Sequence, residues 1–345
     1  MPEPIGPVDR LQRRHRILGL PIAVIYKFFD DQGGYLAVVL THYALVAILP
    51  LLLIASSVLG FVLQGHPDLQ QQILSSALAQ FPIVGDQLGS PGGLRGSTSA
   101  VVIGSLAATY GAIGLGQAAH NAVSTVWAIP RNSRLNPIVS RLRSLVWLVL
   151  AGLALVLIAL LSSLSSHVEI LGTDLGGDLR WLVVGATVLV TAGVLALMMR
   201  LSTPQQEGLR DVRDVLPGAA VIALEWQGLQ VLGGAYVSHV IANASQMNQV
   251  FAVVLGLVAL LYVASVMAML GLEVNVVLTK RLYPRALLTP FTDAVELTDA
   301  DRRVYREYAQ AQRHKGFERV QVTFDKPPAD ESPDQPGDEP GSETA

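Results

Sequence analysis

The fold of this chain is decided by Val250–Leu278, which reads VFAVVLGLVALLYVASVMAMLGLEVNVVL. The stretch contains a single charged residue, Glu273. A bilayer core about 30 Å thick is spanned by about 20 apolar residues of α-helix. The stretch is therefore long and apolar enough to cross a membrane as a helix, in which the backbone hydrogen bonds are satisfied internally.

Five further stretches pass the same test. Four of them contain no Asp, Glu, Lys or Arg, and one contains only Glu225. In chain order they are Tyr35–Leu63, Ala100–Trp127, Ser144–Ser166, Leu182–Met199 and Gly218–Ala242. Charged residues make up only 15% of the chain, against about 25% in soluble domains. The sequence predicts an all-α fold, a polytopic membrane bundle of six transmembrane helices.

Lysine and arginine are concentrated in alternate loops. The basic segments are residues 1–34, 128–143, 200–216 and those that follow the last span. The intervening loops hold only Arg95 and Arg180. Because Lys and Arg accumulate on the cytoplasmic side of membrane proteins, we expect both termini in the cytoplasm and an even number of spans.

Four regions follow from this pattern. They are a cytoplasmic N-terminal segment (1–34), a six-helix transmembrane domain (35–279), a cytoplasmic basic helical segment (280–324) and a disordered acidic tail (325–345). Apolar residues on one stripe of residues 67–88 predict a further helix in the outer interface or capping the bundle.

A cytoplasmic C-terminal helix is predicted within the basic segment, over residues 298–316. Thr298 and Asp301 form an approximate capping box at its start. The helix is rich in Arg and Lys. It either lies on anionic headgroups or is a solvated helix near the membrane.

Three short stretches carry a resemblance to a known family. They are Ala44–Leu53 with Pro50 inside the first span, Gly111–Trp127 with the run Ala-His-Asn-Ala, and Gly271–Asn275 near the end of the last span. Their order and spacing resemble the YihY/BrkB family of bacterial inner-membrane proteins, formerly labelled ribonuclease BN. The resemblance implies six spans in the inner (plasma) membrane, a role in envelope integrity or virulence, and a part in moving lipids.

Enzyme signatures are missing from the sequence. It has no P-loop, no His-Glu-x-x-His and no Gly-x-Ser-x-Gly motif, and it has no cysteine. Gly114–Ala119 matches a dinucleotide-binding pattern but lies inside a predicted span, where small residues favour close helix packing. We therefore expect no catalytic residue, no metal and no cofactor. The absence of a carboxylate cluster outside the bilayer and of a basic, aromatic face also argues against a nuclease or a nucleic-acid partner.

Polar residues fall in the cytoplasmic halves of four predicted spans, where they are costly unless they face the bundle interior or a cavity. The candidates for one polar cavity are His42, Gln117, His120, Asn121, Glu225, Glu273 and Asn275. Glu225 is the deepest, and we expect it to approach His120, Asn121 and Glu273. Pro50 is the candidate helix kink. The same residues are also explained as contacts that hold helices together or anchor them at the interface.

Two functions are consistent with these features. The first is a non-enzymatic membrane protein that transports or flips a lipid or another amphiphile. The alternative is a structural or scaffolding membrane protein that maintains the envelope without transport. The expected partners are membrane lipids and a cytoplasmic protein bound through the C-terminal helix, and the oligomeric state is left open.

Overall fold

A computed structural model describes most of the predicted helical regions of the chain. The described residues are 6–62, 98–134, 136, 138–144, 146, 176–202, 212–236, 239, 246–287, 289 and 295–325. Within these ranges the regular structure is entirely helical. The acidic tail, the loop helix at 67–88 and most of the third predicted span, Ser144–Ser166, lie outside them.

Eight α-helices are delimited in the described residues, and residues 138–144 are also helical. They are α1 (Pro7–Arg14), α2 (Arg16–Asp30), α3 (Gly33–Val62), α4 (Thr98–Val126), α5 (Gly176–Ser202), α6 (Leu216–Tyr236), α7 (Gln246–Thr279) and α8 (Asp299–Ala311). Two short 3-10 turns, Arg131–Ser133 and Val212–Asp214, lie in the connections. The all-helical prediction is confirmed for the described part of the chain.

Helices α3 to α7 coincide with five of the predicted spans. Among the described residues, Phe251–Thr279 of α7 is the one segment that is both long and apolar enough to cross a membrane. Gly33–Ala47 and Val184–Arg200 are shorter apolar stretches. The number of spans therefore stays a prediction. Helix α3 continues through Pro50, the predicted kink.

Helix α7 lies at the centre of the described bundle, where it packs against α2, α3, α4 and α6. Its contact with α6 is close because Gly218 donates its backbone N–H to Asn275 Oδ1 at 2.6 Å. Helices α3 and α4 are similarly close, since a β-carbon at Gly111 would lie 2.8 Å from the backbone nitrogen of Ala47. Small residues at these crossings let two backbones approach without a clash.

Two helices form before the first predicted span, where the sequence analysis predicted none. Pro7 occupies the first turn of α1, where its missing N–H is not needed. The chain becomes extended at His15 and then enters α2. Residues of α2 spaced four apart, Ala23 and Lys27 among them, are buried, because residues at this spacing share one face of a helix.

The C-terminal helix α8 begins as predicted. The Thr298 side chain accepts the backbone N–H of Asp301, and the Asp301 carboxylate accepts the N–H of Thr298. Val304 is buried in the main apolar core, and Tyr305 and Tyr308 pack against it. One face of α8 is thus docked on the protein, and its exposed face carries Arg302 and Arg306.

Candidate functional site

A buried cation, Lys27 of α2, lies at the end of the bundle where α4 and α7 terminate. We call this end of the bundle, which holds the cations Lys27, Lys280 and Arg285, the charged end. Only 1% of the Lys27 side chain is exposed, and its Nζ lies 2.5 Å from Asp31 Oδ2. It also donates to the backbone carbonyl of Val126, the last residue of α4, at 2.9 Å. The side chain of Lys27 therefore joins three elements, α2, the turn that follows it and α4.

The third partner of Lys27 comes from the central helix. Glu273 Oε2 of α7 lies 3.6 Å from Lys27 Nζ, and the Glu273 side chain is fully buried. The lysine ammonium also lies over the ring of Tyr308, 5.4 Å from its centroid. One lysine thus faces two carboxylates and an aromatic ring, with almost no access to solvent.

The electrostatics of this cluster favour the charged lysine. Burial by itself disfavours the ammonium, but the carboxylates of Glu273 and Asp31 outweigh burial and hold the pKa of Lys27 above its ordinary value. Burial raises the pKa of the Tyr308 phenol, and the nearby Asp31 and Asp30 raise it further. Tyr308 therefore stays neutral, and Lys27 stays charged, throughout the physiological range.

A second buried cation, Arg285, lies in the segment that follows α7. Its Nε donates to Asp301 of α8, and its Nη2 donates to Asp30 of α2 at 3.0 Å. Its backbone carbonyl accepts a hydrogen bond of 2.5 Å from Gln12 of α1. Burial disfavours the charge, but Asp301 and Asp30 together raise the pKa of Arg285. This guanidinium links the N-terminal and C-terminal helices to the end of the bundle.

A third cation completes the charged end. Lys280 donates to the backbone carbonyl of Trp127 at 2.9 Å and pairs with Glu307 of α8 at 2.9 Å. The ammonium lies 5.7 Å from the centroid of the Trp127 ring. Lys27, Lys280 and Arg285 together hold α1, α2 and α8 as a peripheral layer on the ends of α4 and α7.

Two of the predicted cavity residues belong to this end of the bundle. Glu273 is the ion-pair partner of Lys27. Asn275 is buried and bonds Gly218 of α6, and its Nδ2 lies 3.4 Å from Met199 Sδ of α5. Asn275 therefore joins three helices, which is the interhelical role that polar residues commonly have in membranes.

Glu225 of α6 lies deeper in the bundle. It is seven residues beyond Gly218, or about 10 Å along the helix axis. Since Gly218 contacts Asn275, and Glu273 is only two residues from Asn275, Glu225 and Glu273 are separated by about 7 Å along the axes of α6 and α7. Glu225 is half-buried, and its Oε2 atom has no hydrogen-bond partner among the described residues.

The other predicted residues are distributed over α3 and α4. His42 is exposed on α3, with its ring 5.3 Å from that of Tyr43. On α4, Gln117 is half-buried, His120 is buried, and Asn121 is exposed. Arg134 donates to Asn121 Oδ1 at 3.3 Å. The side chain of Pro50 lies outside the described residues. A cavity shared by all these residues stays a prediction.

Lys27 and Arg285 were not among the residues singled out from sequence. One signal was available, since Lys27 and Asp31 are four residues apart on a helical repeat. Their partners were not accessible to sequence reasoning, because Glu273 and Asp301 are distant in the chain. In the sequence, Lys27 and Arg285 contributed only to the distribution of Lys and Arg from which the topology was predicted.

The contacts of the charged end are ion pairs and hydrogen bonds between helices. Its carboxylates face cations, and no nucleophile–base pair is formed in this cluster. Among the described residues no group of three or more His, Asp or Glu side chains is arranged to hold a metal ion. The arrangement fixes the peripheral helices against the bundle, and among the described residues the Oε2 atom of Glu225 has no hydrogen-bond partner.

The helical fold and the long apolar helix α7, together with the family match given next, support an α-helical membrane protein. The chain matches the family described as Virulence factor BrkB over residues 24–293. It belongs to the BrkB virulence factor family, as the three motif stretches predicted. No curated protein and no solved structure matches the chain.

Only part of the charged end lies within the range that matches the family. Lys27, Glu273 and Arg285 lie inside it, whereas α8 with Asp301 lies beyond residue 293. The family match therefore covers the bundle and its Lys27 pair, and the docked C-terminal helix is a feature of the chain outside that match.

Proposed function

We propose that this protein moves or flips a lipid or another amphiphile across the bacterial inner membrane, without catalysing a reaction. The observation that carries the proposal is Glu225, a half-buried carboxylate on an apolar helix with an unpaired oxygen. A carboxylate in the bilayer region is costly and usually marks a pathway or cavity. A polar pathway of this kind suits a molecule with both a polar headgroup and apolar chains.

The contrast with Glu273 strengthens this argument. Neither oxygen of Glu273 has a hydrogen-bond partner among the described residues, but its charge is compensated by Lys27 Nζ at 3.6 Å, at the charged end. Glu225 is about two turns deeper along α6 than the Gly218–Asn275 contact, too deep for a short carboxylate to reach the interface easily. The two glutamates therefore suit different roles, structural for Glu273 and functional for Glu225.

The proposed topology has six spans and both termini in the cytoplasm. It is supported by the distribution of Lys and Arg over the loops and by the basic residues collected at the charged end, which becomes the cytoplasmic end. Reporter fusions test it. Fusions at residues 90 and 172 should report the outside, and fusions at 135, 207 and 300 the cytoplasm; one clear reversal contradicts the topology.

The direct test is lipid translocation in proteoliposomes containing the purified protein and a fluorescent phospholipid in both leaflets. Bleaching of the outer leaflet by a reductant that does not cross the membrane measures how fast inner lipid emerges. If Glu225 lies in the pathway, Glu225→Gln should remain folded and slow translocation by about tenfold or more, because an uncharged amide replaces the carboxylate.

The matched control is Gln227→Ala, which removes a polar, half-buried side chain from the same helix. It should leave translocation within about twofold of the wild-type rate, since single exposed or half-buried substitutions away from a site are usually mild. Wild-type protein that moves no lipid would refute transport of that lipid. Glu225→Gln with full activity would remove Glu225 from the pathway.

A scaffolding function is the second candidate, and the charged end favours it. The partly exposed pair Lys280–Glu307 and the buried pair Arg285–Asp301 fix α8 on the bundle, and the exposed face of α8 carries Arg302 and Arg306. A rigidly presented basic face suits an acidic cytoplasmic partner. If the protein is a scaffold, deletion of α8 should abolish binding of the acidic partner. Lipid translocation should stay at its background rate with or without α8.

A further inference from the structure

The outer face of α2 is apolar although the helix lies outside the predicted spans. Ile17, Pro21, Ile25 and Phe29 follow one another at four-residue spacing, and all are exposed. Ile17 is 85% exposed and Phe29 is 71% exposed. Residues at this spacing form one continuous stripe along a helix. We call these four residues the outer stripe.

The opposite face of α2 is the one held by the protein. Lys27 bonds Val126 and pairs with Glu273, and Tyr26 donates its hydroxyl to the carbonyl of Leu287. These partners lie at the ends of α4 and α7 or just beyond them. The inner contacts fix the direction of the outer stripe, which points away from the bundle at the level of its charged end.

The length of α2 excludes a spanning role for it. Its 15 residues measure about 22 Å, less than the bilayer core of about 30 Å. A helix with a strongly apolar outer face at the end of a membrane bundle is typical of an element lying in the interface plane. In that position the outer stripe faces acyl chains instead of water.

The neighbouring helix α1 supplies matching charge. Its exposed face carries Arg10 and Arg14, with Leu11 between them. Asp9 and Gln12 are buried on the opposite face, where Asp9 pairs with Arg13 at 2.8 Å. The acid of α1 is thus neutralised on its buried side, and two arginines remain on its exposed side. Arg14 precedes Ile17, the first residue of the outer stripe, by three residues in the chain.

We propose that α1 and α2 form an in-plane membrane-docking surface, in which the outer stripe enters the acyl region and Arg10 and Arg14 bind anionic phospholipid headgroups. Positive charge next to an apolar stripe is the combination that binds an anionic lipid surface. A second copy of this chain would instead have to bring the two arginines of each protomer near those of the other. That the leaflet is the cytoplasmic one rests on the topology proposed above.

Depth measurements test the docking of the stripe. The chain contains no cysteine, so Ile17→Cys, Ile25→Cys and Phe29→Cys each accept one nitroxide label. In nanodiscs that hold one chain each, labels at these positions should be more accessible to oxygen than to a water-soluble nickel chelate. A label at Gln310→Cys on the exposed part of α8 is the matched aqueous control and should show the reverse.

Lipid adducts test the role of the arginines. A benzophenone attached at Leu11→Cys should form adducts preferentially with phosphatidylglycerol in nanodiscs of equal phosphatidylglycerol and phosphatidylcholine. Replacing Arg10 and Arg14 by Gln should lower this preference by up to about fivefold for each arginine, and replacement by Lys should retain it. Arg302→Gln with Arg306→Gln, an equally spaced pair on α8, should change nothing.

The outcomes separate this proposal from its rivals. Aqueous accessibility at the outer stripe would overturn it. In proteoliposomes, where several chains share one membrane, strong dipolar coupling between Phe29→Cys labels of two chains, with low oxygen access, would overturn it in favour of a homodimer interface. An unchanged lipid preference in the Gln pair would overturn the headgroup role. None of these readouts depends on lipid translocation, so failure of the transport proposal leaves them interpretable.

Discussion

Helices α2 and α8 are both docked on the charged end of the bundle by a buried ion pair. Their outer faces differ in chemistry, since that of α2 is apolar and that of α8 is basic. The outer face of α2 carries Ile25 and Phe29, whereas that of α8 carries Arg302 and Arg306. Their inner faces meet around two cations, Lys27 and Arg285, each of which faces two carboxylates.

On the membrane docking proposed above for α2, the difference follows from what surrounds each outer face. A helix at the level of the bilayer edge can expose apolar side chains, because acyl chains surround it. A helix surrounded by water exposes charge instead. The buried pairs are alike because both helices have to be fixed in direction, and a buried ion pair is a contact with a defined geometry.

The largest effect is expected for Lys27→Met. The substitution keeps an unbranched side chain, one atom shorter, but leaves the carboxylates of Asp31 and Glu273 buried without a counter-charge. Removing one partner of a buried ion pair costs about 3–5 kcal/mol. We expect a loss of this size in the free energy of unfolding in mild detergent, with faster hydrogen exchange in α2.

The control for this variant is Lys315→Met, which removes an exposed lysine and should change stability by less than about 0.5 kcal/mol. Adding Glu273→Gln to Lys27→Met should restore part of the loss, because one uncompensated charge is removed. Equal stabilities of Lys27→Met and the control would show that the pair does not hold α2.

A smaller effect is expected for Arg285→Lys. The guanidinium reaches Asp301 with Nε and Asp30 with Nη2, whereas an ammonium cannot reproduce this fork. Losing one hydrogen bond between charged groups costs about 1.5–3 kcal/mol. Hydrogen exchange should become faster in α8 and at the end of α2 together, because Arg285 joins them.

The exposed Arg302→Lys is the matched substitution and should leave exchange in both helices unchanged. If Arg285→Lys accelerated exchange in α8 alone, the contact with Asp30 would not contribute to fixing α2, and the two docking sites would be independent.

The loss of the N-cap of α8 should affect α8 and leave α2 unchanged. Thr298→Ala removes the side chain that accepts the N–H of Asp301 and donates to the carbonyl of Pro284. N-cap replacements of this kind cost about 1 kcal/mol. We expect faster exchange in the first turn of α8 and no change in α2, and Thr298→Ser should behave as the wild type. An equal response of α2 would mean that the two helices unfold as one unit.

The smallest effect concerns pH. The pKa of Lys27 is raised in the folded protein, so its contribution to stability is complete below the ordinary lysine pKa of about 10.4. It is lost as the pH rises through the higher, folded value. The stability difference between wild type and Lys27→Met should therefore not shrink below about pH 10 and should shrink above it. A difference that shrinks below pH 9 would contradict the assignment.

Much of the fold was accessible from the sequence. The long apolar runs predicted α3 to α7, since lipid allows few alternatives to a helix. Thr298 and Asp301 predicted the start of α8, because a capping box is a local contact of four residues. Helices α1 and α2 were not predicted because the basic residues of this segment counted only as a topology signal, although Ile17, Ile25 and Phe29 fall at helical spacing.

The candidate site was accessible only in part. Glu273 and Asn275 were singled out because polar residues in an apolar span are unusual. Their partners, Lys27 and Gly218, were not, since depth along a helix does not define which neighbour a side chain meets. Glu225 remains the candidate functional residue, because its depth along α6 separates it from the charged end.

The sequence by itself determined the class of structure, the family and the loops in which basic residues are concentrated. Apolar runs and loop charges are properties of local composition, so they can be read without knowing the tertiary structure. Only the tertiary structure decided which charges are compensated. Lys27 looked like any other basic residue near a membrane, and it became the partner of Glu273 through the packing of α2 on α7. Ion pairs between residues so far apart in the chain depend on three-dimensional proximity, for which no periodic pattern exists.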